Sequence, residues 1–206
     1  MNNFYKFLRI LRYSILLWII SFNLLAQERS EGLQLLGDFL DNVNSISGKF
    51  DQEVLDNQGK IIEKSSGVFL VQRPHKIFWE YKEPYQNLLV GNGINFWIYD
   101  ADLQYARVEP QQNFFNSSPA LLLAGSRDVL SQFKYLESFN DRGTDWVSLE
   151  SLDPESNFGK IELGFTDNIL TRMLFEDNLG QTSLIIIYDA DFNKPIDLEI
   201  FNFLPP

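Results

Sequence analysis

The sequence predicts a mainly β domain: one long, strongly curved antiparallel sheet with an N-terminal helix and a second, short apolar helix. Three observations predict it. From Glu28 to about Ser45, Leu33, Leu36, Leu40 and Val43, flanked by Leu35 and Phe39, recur at three- and four-residue steps with acids opposite, the pattern of an amphipathic helix. After Gly48 the apolar period changes to two. Turn signals then arrive at short intervals: Asp56-Asn-Gln-Gly59, Gly91-Asn-Gly93, Asp141-Arg-Gly143, Asp167-Asn168 and Asp177-Asn-Leu-Gly180.

Between those turns, strands are expected over Gly67–Arg73, Lys76–Tyr81, Ile94–Tyr99, Trp146–Leu152, Lys160–Phe165, Ile169–Phe175, Ser183–Tyr188 and Asp197–Phe203. Nine or more strands in so short a chain curl rather than lie flat, so the sheet should bend toward a barrel. Ser117 to Ser126 interrupts the strands. Ser118 suits an N-cap, Pro119 the first helical position and Gly125 a stop, which predicts a short, almost wholly apolar helix between Ser118 and Gly125. Such a helix either plugs the sheet as ordinary core or lids a cavity on its concave face.

Strand parity nominates the lining. Ile77, Trp79 and Tyr81 share the face expected to point inward, and Ile94, Phe96 and Ile98 make the uniformly apolar face of the next strand. Trp97 and Tyr99 leave the other face half apolar as well.

The first 26 residues read differently. Lys6, Arg9 and Arg12 precede an apolar run from Tyr13 to Leu25 and a cleavage point near Ala26-Gln27, which together read as a secretory signal peptide. Residues 27–206 then form a single domain, and with no Cys in the chain neither a lipid-modified N-terminus nor a disulfide framework is available. The full chain carries 17 cations and 28 acids, and removal of three cations gives 14 − 28 = −14. Nucleic acid, which demands a basic face, is an improbable partner.

Catalytic chemistry is sparse. One histidine, His75, and no cysteine exclude a Cys nucleophile and a multi-histidine zinc site, and a Ser-His-Asp triad would depend on His75 alone. Alternating acids such as Asp51 and Glu53 fit a solvated strand face. The repeat Tyr99-Asp-Ala-Asp-Leu103 and Tyr188-Asp-Ala-Asp-Phe192 lacks the glycine and glutamate an EF-hand loop requires, so no metal is expected.

In order, the chain presents a signal peptide, an amphipathic helix, Ser47-Gly-Lys-Phe-Asp-Gln52, Gly67-Val-Phe-Leu-Val-Gln-Arg-Pro74 with Ile77 and Trp79, Gly93-Ile-Asn-Phe-Trp-Ile-Tyr99, Ser118-Pro-Ala-Leu-Leu-Leu-Ala124 and a closing Phe201-Asn-Phe-Leu-Pro-Pro206. This succession resembles the LolA family of periplasmic lipoprotein carriers over nearly the whole mature chain. The resemblance implies an unclosed β-barrel, lidded by the N-terminal helix and the short apolar helix. Its cavity would hold the acyl chains of lipoproteins received from an inner-membrane LolCDE-type ABC transporter and passed to an outer-membrane receptor such as LolB. It further implies a monomer without cofactor or turnover, located in the periplasm. By similarity Arg73 would latch the lid through backbone carbonyls of Leu123 and Ala124. Leu36, Leu40, Ile77, Trp79, Phe96, Ile98, Leu121 and Leu122 are the expected lipid contacts. Other readings remain beside this one: a carrier of a glycolipid or another amphiphile on the same fold, and a secreted hydrolase on a curved sheet.

Overall fold

A computed structural model describes residues 31–114 and 120–204. The expected signal peptide, the Ser118-Pro119 helix start, the Leu121 side chain and the closing Pro205-Pro206 lie outside that description. Helix α1 occupies residues 31–42, and α2 is the five-residue Ala120–Ala124. Eleven strands follow α1: β1 Ser45–Leu55, β2 Ile61–Gln72, β3 Lys76–Glu83, β4 Asn87–Asn92, β5 Asn95–Asp100, β6 Tyr105–Pro110, β7 Phe133–Asp141, β8 Thr144–Ser151, β9 Phe158–Thr166, β10 Ile169–Asp177 and β11 Thr182–Phe192.

All belong to one antiparallel sheet in the order β6-β5-β4-β3-β2-β1-β11-β10-β9-β8-β7. The chain meanders outward from β1 to β6, resumes at the opposite edge with β7, and meanders back to β11, which pairs with β1. The edge strands β6 and β7 do not pair with each other, so the barrel stays unclosed.

Local chemistry explains the hairpins. Asp167 and Asn168 both take left-handed φ, 52° and 63°, as a two-residue turn matched to the strand twist requires. At Gly67 the need is different: an added Cβ would lie 1.9 Å from the Glu80 carbonyl oxygen, beside the bulge that β3 makes against β2 at Lys82.

The concave face carries the core. Phe50, Phe69, Val71, Ile77 and Trp79 from β1–β3 meet Val147, Leu163, Phe165 and Met173 from β8–β10, and α1 and α2 close over them. The buried stripe of α1 runs through Leu36, Phe39 and Leu40, whereas Leu33, expected on it, is exposed. Gly32 replaces it at the sheet because α1 enters so close to β7 that a Cβ there would stand 2.6 Å from that of Ser138.

Two other expectations are corrected. Residues 197–203 are not a strand: Leu198–Phe201 is a 3₁₀ turn, opened by the Asp197 carboxylate accepting from the Glu199 N–H. The segment packs behind β3 and β4, fully burying Phe201 and setting Phe203 5.5 Å from the ring of Tyr99. The C-terminus thus covers the second apolar face that Trp97 and Tyr99 signalled. Ile94, expected inward, is 75% exposed, because β5 begins only at Asn95 and Ile94 belongs to the preceding turn.

Candidate functional site

The turn between β2 and β3, residues 73–75, lies beneath both helices. Its Arg73–Pro74 bond is cis and His75 has φ 68°. Arg73 is buried, and its guanidinium donates to four main-chain carbonyls. Nε reaches Leu123 at 2.9 Å; Nη1 reaches Phe39 at 2.9 Å, Leu40 at 3.1 Å and Val43 at 2.6 Å. The last carbonyls of a helix lack internal donors and carry partial negative charge, so a fork of fixed N–H groups suits them. One cation therefore closes the C-terminal end of α1 and holds α2 to it.

The sequence reading placed both lid acceptors on Arg73. Instead the Ala124 carbonyl accepts from the backbone N–H of His75 at 2.7 Å, a consequence of the turn directing that N–H toward α2. Sequence reasoning missed the three acceptors in α1 and its exit; the signal available was a helix ending just before β1, the strand that pairs with β2, which Arg73 follows.

No carboxylate pairs with Arg73 among the described residues. Burial lowers its pKa to about 10, still far above neutrality, so the charge persists. The guanidinium carbon also lies 4.7 Å from the centre of the Phe39 ring. At the surface, Arg127, just after α2, pairs with Asp41 of α1.

Two residues not anticipated support this arrangement. Gln111, almost wholly buried at the end of β6, donates from Nε2 to the His75 carbonyl at 2.7 Å and accepts the Gly93 N–H at 2.7 Å. It joins the β2–β3 turn to the β4–β5 turn. Asn193 accepts the Asn44 N–H at 2.7 Å and donates to the Asn42 carbonyl at 2.9 Å, fixing the exit of α1 against the end of β11. Both are ordinary polar residues whose partners lie far away in sequence.

Below the latch runs a column of rings. Phe69 and Trp79 are 5.1 Å apart, Trp79 and Phe50 4.3 Å, and Phe50 and Tyr81 5.2 Å. Leu36, Leu40, Ile77, Trp79, Phe96 and Leu122 all lie in the same buried cluster, with Ile98 half-buried against it. The helix side chains thus occupy the concave face themselves. At the column's far end the Tyr81 hydroxyl donates to Gln52 Oε1 at 2.9 Å, and burial pushes the phenol up to about 12, keeping it a neutral donor.

A model of the outer membrane lipoprotein carrier protein LolA matches residues 41–204. The chain belongs to the LolA family. Among LolA relatives, the outer-membrane lipoprotein carrier protein of Nitrosospira multiformis is 33% identical over 196 residues, 95% of this chain and 94% of that one. The protein of the same name from Dechloromonas aromatica is 34% identical over 171 residues, 83% and 82% of the two chains. The crystal structure of a LolA superfamily protein from Nitrosomonas europaea superposes with a TM-score of 0.52 over 84% of this chain and 97% of that one. At 10% identity that match speaks for the fold alone. In this chain the Arg73 contacts are built on an unclosed sheet under two helices.

Proposed function

We infer that this lipoprotein carrier works in the periplasm by parting α1 and α2 from the sheet and admitting the acyl chains of outer-membrane lipoproteins against the ring column. Leu36, Leu40 and Leu122 move with the helices, while Ile77, Trp79, Phe96 and Ile98 remain as the wall that the chains meet; Leu121 joins the helix set. Arg73, Leu123 and Ala124 form the closure. The observation that carries this reading is the buried, uncompensated guanidinium tying two helix ends over an apolar concave face.

Magnitudes explain why closure must compete with cargo. Each acyl CH₂ taken from water is worth about 0.8 kcal/mol, so roughly ten carbons contribute on the order of 8 kcal/mol. A permanently open apolar trough would not release such a ligand. Hydrogen bonds from a charged donor, about 1.5–3 kcal/mol each, favour the lidded form and offset part of the gain. Loading and release then sit within reach of a donor and an acceptor. In this scheme an inner-membrane ABC transporter of the LolCDE type supplies the lipoprotein, a LolB-type receptor takes it where one exists, and the carrier acts as a monomer.

The test is a release assay. Membrane vesicles bearing the transporter and a labelled lipoprotein are incubated with ATP and the purified carrier. A soluble equimolar complex of lipoprotein and carrier is the expected product. Label that stays membrane-bound, or soluble carrier that yields a glycolipid by mass spectrometry, overturns the reading.

A further inference from the structure

The concave face is not apolar throughout. Near the Asp56–Gly59 end of the sheet, away from the latch, the ring column gives way to a hollow of about 250 Å³ whose lining includes Gln52, Glu63, Ser65, Tyr81, Glu83 and Ile98. Ser65 is 8% exposed, yet its hydroxyl has no hydrogen-bond partner. A second hollow of about 230 Å³ shares Gln52, Ser65 and Glu83. A buried hydroxyl left unmatched between a hydrocarbon wall and a carboxylate rim is a costly arrangement unless something completes it.

The order of groups along β2 gives that something a direction. Tyr81 touches both zones: its ring packs on Phe50 in the column and its hydroxyl faces Gln52 in the hollow. From Ser65 to Gln72, beside the latch, seven residues of strand span roughly 23 Å. That length accommodates an extended fatty acyl chain with one end at Arg73 and the other at Ser65.

We propose that the hollow around Ser65 is the seat of the cargo's polar end: the Ser65 hydroxyl donates to a carbonyl of the acyl ester or amide, and Glu63 and Glu83 face cationic residues in the peptide that follows the acylated cysteine. The tails then run along Phe50, Trp79 and Phe69 toward the latch. This rests on the carrier reading and adds to it an orientation and a preference among cargoes. Hydrocarbon alone would satisfy neither the hydroxyl nor the carboxylates, so the hollow selects for chains bearing a polar, positively charged head. The chain's large acidic excess favours the same partners at longer range.

Three probes test it against the full mature chain at low salt: a diacylglyceryl-cysteinyl peptide followed by four lysines, its counterpart with four serines, and diphenylhexatriene, a fluorescent hydrocarbon with no polar end. The wild type is expected to bind the lysine peptide about fivefold more tightly than the serine peptide, the worth of two partly exposed ion pairs. Glu63→Gln with Glu83→Gln should erase that difference and leave the serine peptide unchanged; added salt should erase it in the wild type as well. Ser65→Ala should weaken both lipopeptides by about fivefold while diphenylhexatriene binds as before. Lipopeptides that bind equally to wild type and variants overturn the polar seat and spare the carrier reading. Failure of all three probes to bind overturns the carrier reading, and the seat falls with it. None of these substitutions removes a packed apolar group, so circular dichroism should match the wild type.

Discussion

Arg73 Nη1 stands 2.6 Å from the carbonyl oxygen of Val43, the shortest of the four main-chain contacts this guanidinium makes. Three of the four run to α1 and its exit, and one to α2. The closure is therefore centred on the N-terminal helix, with α2 held as its satellite.

Arg73→Leu leaves all four carbonyls without their donor and should weaken the lidded form by about 2 kcal/mol, roughly a thirtyfold shift toward opening. Since a ligand moves a two-state lid by its differential affinity, the variant should bind acylated cargo more tightly and release it more slowly. Transfer of labelled lipoprotein to acceptor membranes measures this; release at the wild-type rate would remove Arg73 from the control of closure.

Burial lowers the Arg73 pKa to about 10, so closure by the wild type should not change between pH 5 and pH 8. Arg73→Lys places in the same site an ammonium whose ordinary pKa is about 10.4, and the same burial lowers it toward neutrality. A cation with a depressed pKa in the closed form binds fewer protons there than in the open form. The closed state of the variant should accordingly gain stability as pH rises from 7 to 10. Trp79 fluorescence against pH reads the effect, and a flat profile for the lysine variant would contradict it.

Asn193 joins two requirements at one position: a left-handed φ of 56° and a side-chain amide bridging Asn44 and Asn42. Asn193→Ala should cost about 2–3 kcal/mol in urea unfolding, from two lost hydrogen bonds and backbone strain. Asn193→Gly relieves the strain and should recover about 1 kcal/mol of that loss. Equal midpoints for the two variants would show that φ is not a factor.

Gly67→Ala drives a methyl into the Glu80 carbonyl and the Phe50 ring and should destabilise by about 3 kcal/mol or more. Gly159→Ala meets nothing within 4 Å and should be near neutral. Thermal melts of the pair separate a general strand-glycine effect from the local collision.

Local signals were legible and distant ones were not. The Asp167-Asn168 and Asp141-Arg-Gly143 turns announce themselves because left-handed φ admits few residue types. The inward set Ile77 and Trp79 follows from period two once the neighbouring strands are apolar. Strand β7, by contrast, is an edge bearing Lys134, Glu137 and Asp141, and edge strands need not alternate cleanly. Residues 197–203 looked like a strand because Leu198, Ile200 and Phe201 are apolar, but their burial is against the back of the sheet rather than within it. Arg73 is legible only through family resemblance, while its grip on Phe39, Leu40 and Val43 depends on the spatial meeting of residues some thirty positions apart. The Ser65 hollow gave no sequence sign at all, since a serine among serines on β2 differs from its neighbours only by what surrounds it.

The missing ladder between β6 and β7 has a mechanical consequence. A sealed cylinder of hydrogen-bonded strands can widen only by breaking main-chain bonds, whereas this cuff has two free edges, β6 and β7, with no ladder between them. On the carrier reading proposed above, parting β6 from β7 would change the girth of the cuff without rupturing any strand pair.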